Sequence, residues 1–225
     1  MNGSGLDIIA RIETPFAEKF GVPRQSGIAD SPGRIVFEKP FRDVDAVRGL
    51  EGFSHIWLIW QFDRAQRQSW SPTVRPPRLG GNERVGVFAT RSPFRPNPIG
   101  LTCVKLDHVE LTDAGPIIHV LGADLRDGTP IYDIKPYIPF ADCHPDACGG
   151  WIEDAPWHEL DVDFPEQLQA EVPAGKLAGL TEVLRQDPRR AGSKHEPTRV
   201  YHLAYAGLDV AFTVDGDVLH VVCVS

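Results

Sequence analysis

The residues best equipped for chemistry lie in Phe88–Gly100, which reads F-A-T-R-S-P-F-R-P-N-P-I-G. Each proline fixes its own φ and pushes the residue before it towards extended geometry. Ser92, Arg95 and Asn97 are therefore held out of the helical region, and the stretch is expected to form a stiff loop presenting Arg91, Arg95 and Asn97. A loop ordered by its own covalent geometry loses little entropy on binding. Arginine there offers a fixed fork of donors for carboxylate or phosphate. A second stretch, Asp127–Tyr137, carries Tyr132, Asp133, Lys135 and Tyr137 on an otherwise buried-looking strand. Asp133 and Lys135 are two apart and share one face of a strand. A buried carboxylate beside a lysine marks either a functional site or a structural ion pair. A third, Pro23-Arg24-Gln25-Ser26-Gly27, offers side-chain hydrogen bonds and a glycine that allows close backbone approach.

The elements around these stretches read as strands. Asp7–Glu13 is a first strand and Gly33–Glu38 a second. Asp43 is a candidate N-cap for one helical turn. Phe53–Phe62 is aromatic and β-branched and nearly without polar residues, as expected for a strand buried on both faces. His55 inside it reads as a hydrogen-bonded core residue. Arg84–Thr90 is a strand delivering the proline-rich loop. Ile99–Glu110 and Pro116–Gly122 are a strand and its return around the turn Asp113-Ala114-Gly115. Asp127-Gly128-Thr129-Pro130 is a tight turn. From about residue 150 the composition turns acidic. Pro165–Val172 and Lys176–Gln186 are helical, Leu177, Leu180, Val183 and Leu184 making one apolar face of the second. Thr198–Ala206, Leu208–Val214 and Val218–Val224 are strands, the last two joined by Asp215-Gly216-Asp217.

Composition sets the bounds. The chain has 225 residues, one Met, five Trp, 21 Gly and 20 Pro, which favours a turn-rich, β-dominated fold over a helical bundle. No apolar run reaches membrane-spanning length, and no basic region precedes a hydrophobic stretch at the N-terminus. Four Cys without a visible secretory signal read as reduced thiols, so a cytoplasmic location is expected. Net charge is −8, which argues against indiscriminate nucleic-acid binding. Residues 61–105, however, carry eight Lys/Arg against Asp63 and Glu83, a local +6, while residues 140–225 carry six bases against fifteen acids, a local −9. One basic block in an acidic chain fits a docking patch for a polyanion, or a solvated face. Cys143-His144-Pro145-Asp146-Ala147-Cys148 resembles half a metal site. Zinc needs about four ligands, and no second Cys/His pair is suitably spaced, so no metal is expected.

Phe88–Gly100 with Leu101, together with P-R-Q at 23–25, L-E-G-F-S-H-I-W at 50–57, V-R-P-P-R-L-G-G at 74–81 and D-G-T-P-I-Y-D-I-K-P-Y at 127–137, resembles the TsaA-like (TrmO-type) tRNA methyltransferase family in the right order from Leu6 to Ala141. The resemblance implies an S-adenosylmethionine-dependent enzyme methylating N6 of threonylcarbamoyladenosine beside the tRNA anticodon, at position 37. It also implies a homodimer built on a β-barrel rather than a dinucleotide-binding sheet. The expected fold is therefore mainly β: a barrel-like domain over residues 1–145 and a small α+β subdomain over residues 150–225. Carried over by resemblance, Gln25, Ser26, Gly27, Asp63, Arg64, Arg91, Leu101, Asp127, Gly128, Thr129 and Pro130 are cofactor contacts. Arg75, Arg78, Arg95 and Lys135 are assigned to the tRNA, and Asp133, Tyr137 and Asn97 to catalysis.

Methyl transfer from a sulfonium needs in-line approach and exclusion of water, and positioning alone supplies about 7–11 kcal/mol of the barrier. The acceptor nitrogen is weakly basic and must lose a proton, a task for a carboxylate or phenolate. Asp133 is the first choice for it and Tyr137 the second. Two other classes remain open: a non-catalytic RNA- or S-adenosylmethionine-binding module, and a metal-dependent hydrolase using His55, Cys143 and His144. Turnover separates the first from an enzyme, and metal analysis tests the second.

Overall fold

The computed structural model describes residues 5–64, 69–76, 79, 83–154, 158–189 and 196–225. Arg67 and Arg78, counted in the basic block, lie outside them. Six strands close into a barrel: β1 (Ala10–Glu13), β2 (Pro32–Phe37), β3 (His55–Gln61), β6 (Ile99–Thr112), β7 (Gly115–Leu121) and β8 (Thr129–Pro136). Their order is β1-β2-β7-β6-β3-β8, and every pairing is antiparallel, including β8 with β1. Between β3 and β6 a two-stranded arm, β4 (Thr73–Val74) with β5 (Val85–Gly86), stands beside the barrel. A short helix α1 (Pro139–Asp142) follows β8.

The C-terminal part forms a four-stranded sheet in the order β10-β11-β12-β9. These strands are β9 (Asp161–Asp163), β10 (Tyr201–Tyr205), β11 (Leu208–Asp215) and β12 (Val218–Val224), with helices α2 (Glu166–Gln169) and α3 (Leu177–Arg185). The strand β9, which pairs parallel to β12, has no counterpart in the sequence reading. Three residues reading D-V-D carry too little periodicity to be seen without the neighbour that pairs them.

Alternation explains the barrel. Ile12, Ile35, Ile56, Leu58, Ile118 and Ile131 are fully buried and fill the interior. Burying one such side chain contributes about 1.5–3 kcal/mol. The strand β3 corrects the expectation of burial on both faces. Ile56, Leu58 and Trp60 point inward, while His55, Trp57, Ile59 and Gln61 are half-buried on the outside. A closed barrel has only one filled interior, so apolar residues on its outer face stay partly in water. Arg84–Thr90 is also corrected: only Val85–Gly86 is strand, and Val87–Ala89 turns into a 3-10 helix.

Asp43 does cap a helical turn, its Oδ1 accepting from the Asp45 N–H at 2.9 Å. Phe16 and Ala29, from the loop between β1 and β2, belong to the C-terminal core with Leu180, Leu184, Leu203 and Phe212. Phe16 meets Tyr205 edge to face with centroids 5.6 Å apart, and the Ala206 N–H donates to the Pro15 carbonyl at 2.8 Å. That loop is thus packed between the two sheets.

Candidate active site at one rim of the barrel

Antiparallel strands alternate in direction, so one rim collects the end of β3, the start of β6, the end of β7, the start of β8, the end of β1 and the start of β2. Nearly all the residues assigned to a cofactor lie there. Gln25 Oε1 accepts from Arg91 Nη1 at 2.5 Å, and Gln25 Nε2 donates to the Arg24 carbonyl at 2.6 Å. Ser26 is half-buried beside it. The Gly27 N–H donates to the Gly122 carbonyl at 3.0 Å. Gly27 has φ +74° and Gly122 φ +81°, and a Cβ on Gly122 would meet the Gly27 nitrogen at 3.2 Å. Left-handed backbone at such close approach selects glycine.

The tight turn forms as expected. Gly128 has φ +76°, the Thr129 N–H and hydroxyl both donate to the Arg126 carbonyl, and Asp127 Oδ1 accepts from the Thr14 N–H at 3.0 Å. Thr129 and Pro130 are buried. Asp63 is tied to Arg126 through an ion pair of 3.2 Å, and Arg64 is exposed next to it.

The proline-rich loop departs from the expectation in one respect. Arg95 does not point outward: it is half-buried, and its Nη1 donates to the Thr90 carbonyl at 3.1 Å. The N–H of Ser92 bonds the Thr90 hydroxyl and that of Phe94 the Ser92 hydroxyl, so the loop satisfies its own donors. Arg91 and Asn97 are exposed. The closing glycine has a packing reason: a Cβ on Gly100 would overlap the indole of Trp60.

Sequence reading missed the group at the centre of the rim. Trp60 Nε1 donates to Thr102 Oγ1 at 3.0 Å, and the Thr102 hydroxyl donates to Asp124 Oδ1 at 2.8 Å. Burial pushes the Asp124 carboxyl above its ordinary value, against the Thr102 hydrogen bond and the nearby Arg91 charge. Asp124 sits three residues before Asp127 without any pairing in sequence to mark it. The only local signal is an acid in the otherwise apolar L-G-A-D-L run.

Of the residues assigned to catalysis, Asn97 stands in the rim loop, its carbonyl accepting from the Ile99 N–H, but Asp133 and Tyr137 do not join it. Asp133 and Lys135 form an ion pair of 2.9 Å with side chains 46% and 61% exposed, so the expected buried carboxylate is a surface one. A bulge in β8 between the partners of Ile59 and Trp60 turns Asp133 outward. Across the outer face, Leu101, Ile59 and Asp133 form one row, and Cys103, Trp57 and Lys135 the next. Tyr137 lies at the far end, its N–H bonded to the His55 carbonyl and its ring 5.9 Å from that of Trp57. Eight residues of strand separate it from Thr129, about 26 Å. Burial raises the Tyr137 hydroxyl pKa, with Cys143 adding to it, while the Ile138 N–H and Trp57 Nε1 hold Asp142 below the ordinary carboxylate range.

Arg75 is exposed on the arm, and Arg78 lies outside the described residues. Among the described residues no group of three or more His, Cys, Asp and Glu is placed to hold a metal. His55 is half-buried beside Ser54 Oγ at 2.9 Å, whereas Cys143 and Cys148 are exposed in the segment after α1. Two open concavities, of about 450 and 380 Å³, are lined by Glu51–Ser54 with Leu106–His108, and by Glu13–Pro15 with Lys176 and Ala206. Neither of these two is lined by Gln25, Arg91 or Asp124.

A closed antiparallel barrel whose rim joins paired glycines, an exposed arginine and a half-buried carboxylate is a barrel-type architecture, not a dinucleotide-binding sheet. Residues 11–143 match the tRNA-methyltransferase O N-terminal domain, and residues 158–225 match the TrmO C-terminal domain. The chain belongs to the TrmO family. It is 45% identical over 205 residues to the tRNA (adenine(37)-N6)-methyltransferase of Escherichia coli K12, covering 88% of this chain and 87% of that one. It is 42% identical over 212 residues to the putative S-adenosylmethionine-dependent methyltransferase RcsF of Pseudomonas aeruginosa, covering 90% and 89%. The crystal structure of TrmO from Pseudomonas aeruginosa superposes with a TM-score of 0.78 at 34% identity, covering 99% of this chain and 98% of that one.

Proposed function

We propose that this protein transfers the methyl group of S-adenosylmethionine to N6 of adenine 37 in tRNA, and that the adenine carries the threonylcarbamoyl group. The observation that carries the reading is the rim. It joins the Gln25–Gly27 loop, Arg91, Asp124 and the Asp127–Pro130 turn in a family whose relatives are named for this reaction.

The rim fits the cofactor chemically. A Cβ on Gly27 or Gly128 would meet nothing within 4 Å, so the backbone there is open to a ligand. Arg91 suits the carboxylate of the methionine moiety, and Asp127 suits ammonium or ribose hydroxyls. When bound, S-adenosylmethionine supplies an electrophilic methyl, which N6 accepts with release of S-adenosylhomocysteine. The proton lost by N6 needs an acceptor. Asp133 is exposed, with its carboxylate oxygens taken up by Lys135 and by the Ile134 N–H. Asp124, whose carboxyl burial pushes above its ordinary value, holds a proton more readily than an exposed carboxylate and is better matched to accept one. We assign it that role, with Asp133 and Asn97 left to orient the substrate, while Tyr137, at the far end of β8, takes no part at this rim. Arg75, Arg78 and Lys135 are kept as tRNA contacts, Arg95 as a brace of the loop through Thr90, and Asp63, Arg64 and Leu101 as the border of the cofactor site.

Two coarser features follow from the same reading. The exposed outer face, with Leu101 55% and Phe140 91% exposed, suits a second copy, so we propose a homodimer. A tRNA substrate supports a cytoplasmic location. We keep residues 1–145 and 150–225 as two domains sharing the 14–31 loop.

The test is turnover on tRNA carrying unmethylated threonylcarbamoyladenosine. Equal yields of S-adenosylhomocysteine and a methylated nucleoside support the reading. Binding of either partner without product would instead favour the non-catalytic module.

A further inference from the structure

Beside the rim, the β4–β5 arm carries Trp70 and Phe88 with ring centroids 6.2 Å apart and planes 24° apart. Trp70 is 49% and Phe88 73% exposed. A stacked pair of large apolar rings left in water marks an interaction surface. The pair is held in place. The Val87 N–H donates to the Pro72 carbonyl at 3.0 Å, and the Ser71 N–H to the Phe94 carbonyl at 3.5 Å. Trp151 Nε1, from the segment leading to the C-terminal sheet, donates to the Ala89 carbonyl at 2.9 Å. The rings therefore sit on backbone pinned from three sides.

The charge around them is positive. Arg84, on the same arm, is bonded to Thr73 Oγ1, Arg75 is exposed there, and Arg91 stands in the loop that Phe88 opens. Aromatic faces among arginines match one chemistry closely: single-stranded nucleotides, each with a flat π-face and a phosphate. A two-fold contact of this arm with its own copy would set arginine against arginine.

We propose that Trp70 and Phe88 form a base-stacking platform for the single-stranded nucleotides flanking the target base. The inference rests on the tRNA reading above and extends it. An exocyclic amine in a stacked loop cannot be reached until its base leaves the stack, which strands its neighbours. A rigid aromatic pair next to the rim gives one of those neighbours a replacement partner.

The experiment is fluorescence anisotropy of a synthetic anticodon stem-loop RNA with the full chain, comparing wild type with Trp70→Ala, Phe88→Ala, Trp70→Phe and Phe88→Tyr. The alanine variants should weaken binding by about 5- to 150-fold. The aromatic variants should bind as wild type does and guard against misfolding, and calorimetric affinity for S-adenosylmethionine should be unchanged in all of them. A fully paired RNA duplex should show little difference between variants, since it offers no free base face. The proposal is overturned if the alanine variants bind the stem-loop normally, lose duplex and stem-loop binding equally, or lose only self-association in sedimentation. Turnover of the wild type is measured in parallel. Product formation with unaffected alanine variants removes the platform and leaves the methyltransferase. Absence of product removes the methyltransferase while the binding comparison still decides the platform.

Discussion

Arg91 and Gln25 meet across 66 residues of sequence, Nη1 donating to Oε1 at 2.5 Å. This bond joins the proline-rich loop to the loop between β1 and β2 and fixes the only exposed guanidinium that either contributes to the centre of the rim among the described residues. Charged hydrogen bonds contribute about 1.5–3 kcal/mol. Arg91→Ala should therefore weaken S-adenosylmethionine binding by roughly 10- to 150-fold in calorimetric titration. Gln25→Ala should cost less, since it removes only the neutral partner. Unchanged affinity in Arg91→Ala would move the cofactor away from this rim.

Asp124→Asn should lower kcat by about 10²- to 10⁴-fold. In the wild type, activity should fall as pH drops through the raised Asp124 value, and that limb should vanish in the variant. Stability carries the opposite sign. A carboxyl raised by burial stabilises fully below its ordinary value, and that contribution is lost as pH rises through the raised one. The melting temperature of the variant should therefore match or exceed wild type near neutrality, with the advantage shrinking towards acid. Asp133→Asn, on the exposed ion pair, should leave the low-pH limb in place. A limb that disappears with Asp133 instead would reverse the assignment.

Gly100→Ala tests packing. The added methyl overlaps the Trp60 indole, a rigid ring that already carries Phe62 at 4.3 Å and the bond to Thr102. Overpacking of this kind costs about 1–3 kcal/mol. Urea denaturation should show a lower midpoint with an unchanged slope. Because Trp60 supports Thr102 and Asp124, kcat should fall as well.

Arg24 bonds the carbonyls of Asp187 and Arg189 at 3.1 Å each, while its neighbour Gln25 faces Arg91. The C-terminal part thereby clamps the loop that shapes the rim. Arg24→Ala should raise the Kd for S-adenosylmethionine several-fold without abolishing turnover. Hydrogen exchange should speed up across residues 22–28. Faster exchange confined to the C-terminal sheet would show that the clamp serves that sheet alone.

Much of the scaffold was legible because its signals are local. The alternation in Ile99–Glu110 and the turn residues Gly128 and Gly216 act over a few residues, and each appears where the pattern places it, the strand running on to Thr112. The motif stretches at 23–27, 88–100 and 127–130 also come together at one rim, and stiff proline loops and glycines at left-handed φ need special sequences. The misses share a cause. Asp133 looked buried because its neighbours are apolar, yet a bulge in β8 turns it outward. Arg95 looked free, yet it folds back on Thr90. Asp124 carried no motif of its own.

The sequence by itself determined a β-rich chain, its turns, its basic block and the family it belongs to, since these depend on residue types at short spacing. Only the tertiary structure decided which of the charged groups share one rim. Closure of six strands sets Asp124 under Thr102 and Trp60, puts Arg91 against Gln25, and carries Tyr137 to the opposite end. Which carboxylate is desolvated and which is exposed depends on the register of strands far apart in sequence, and no stretch of residues records that locally.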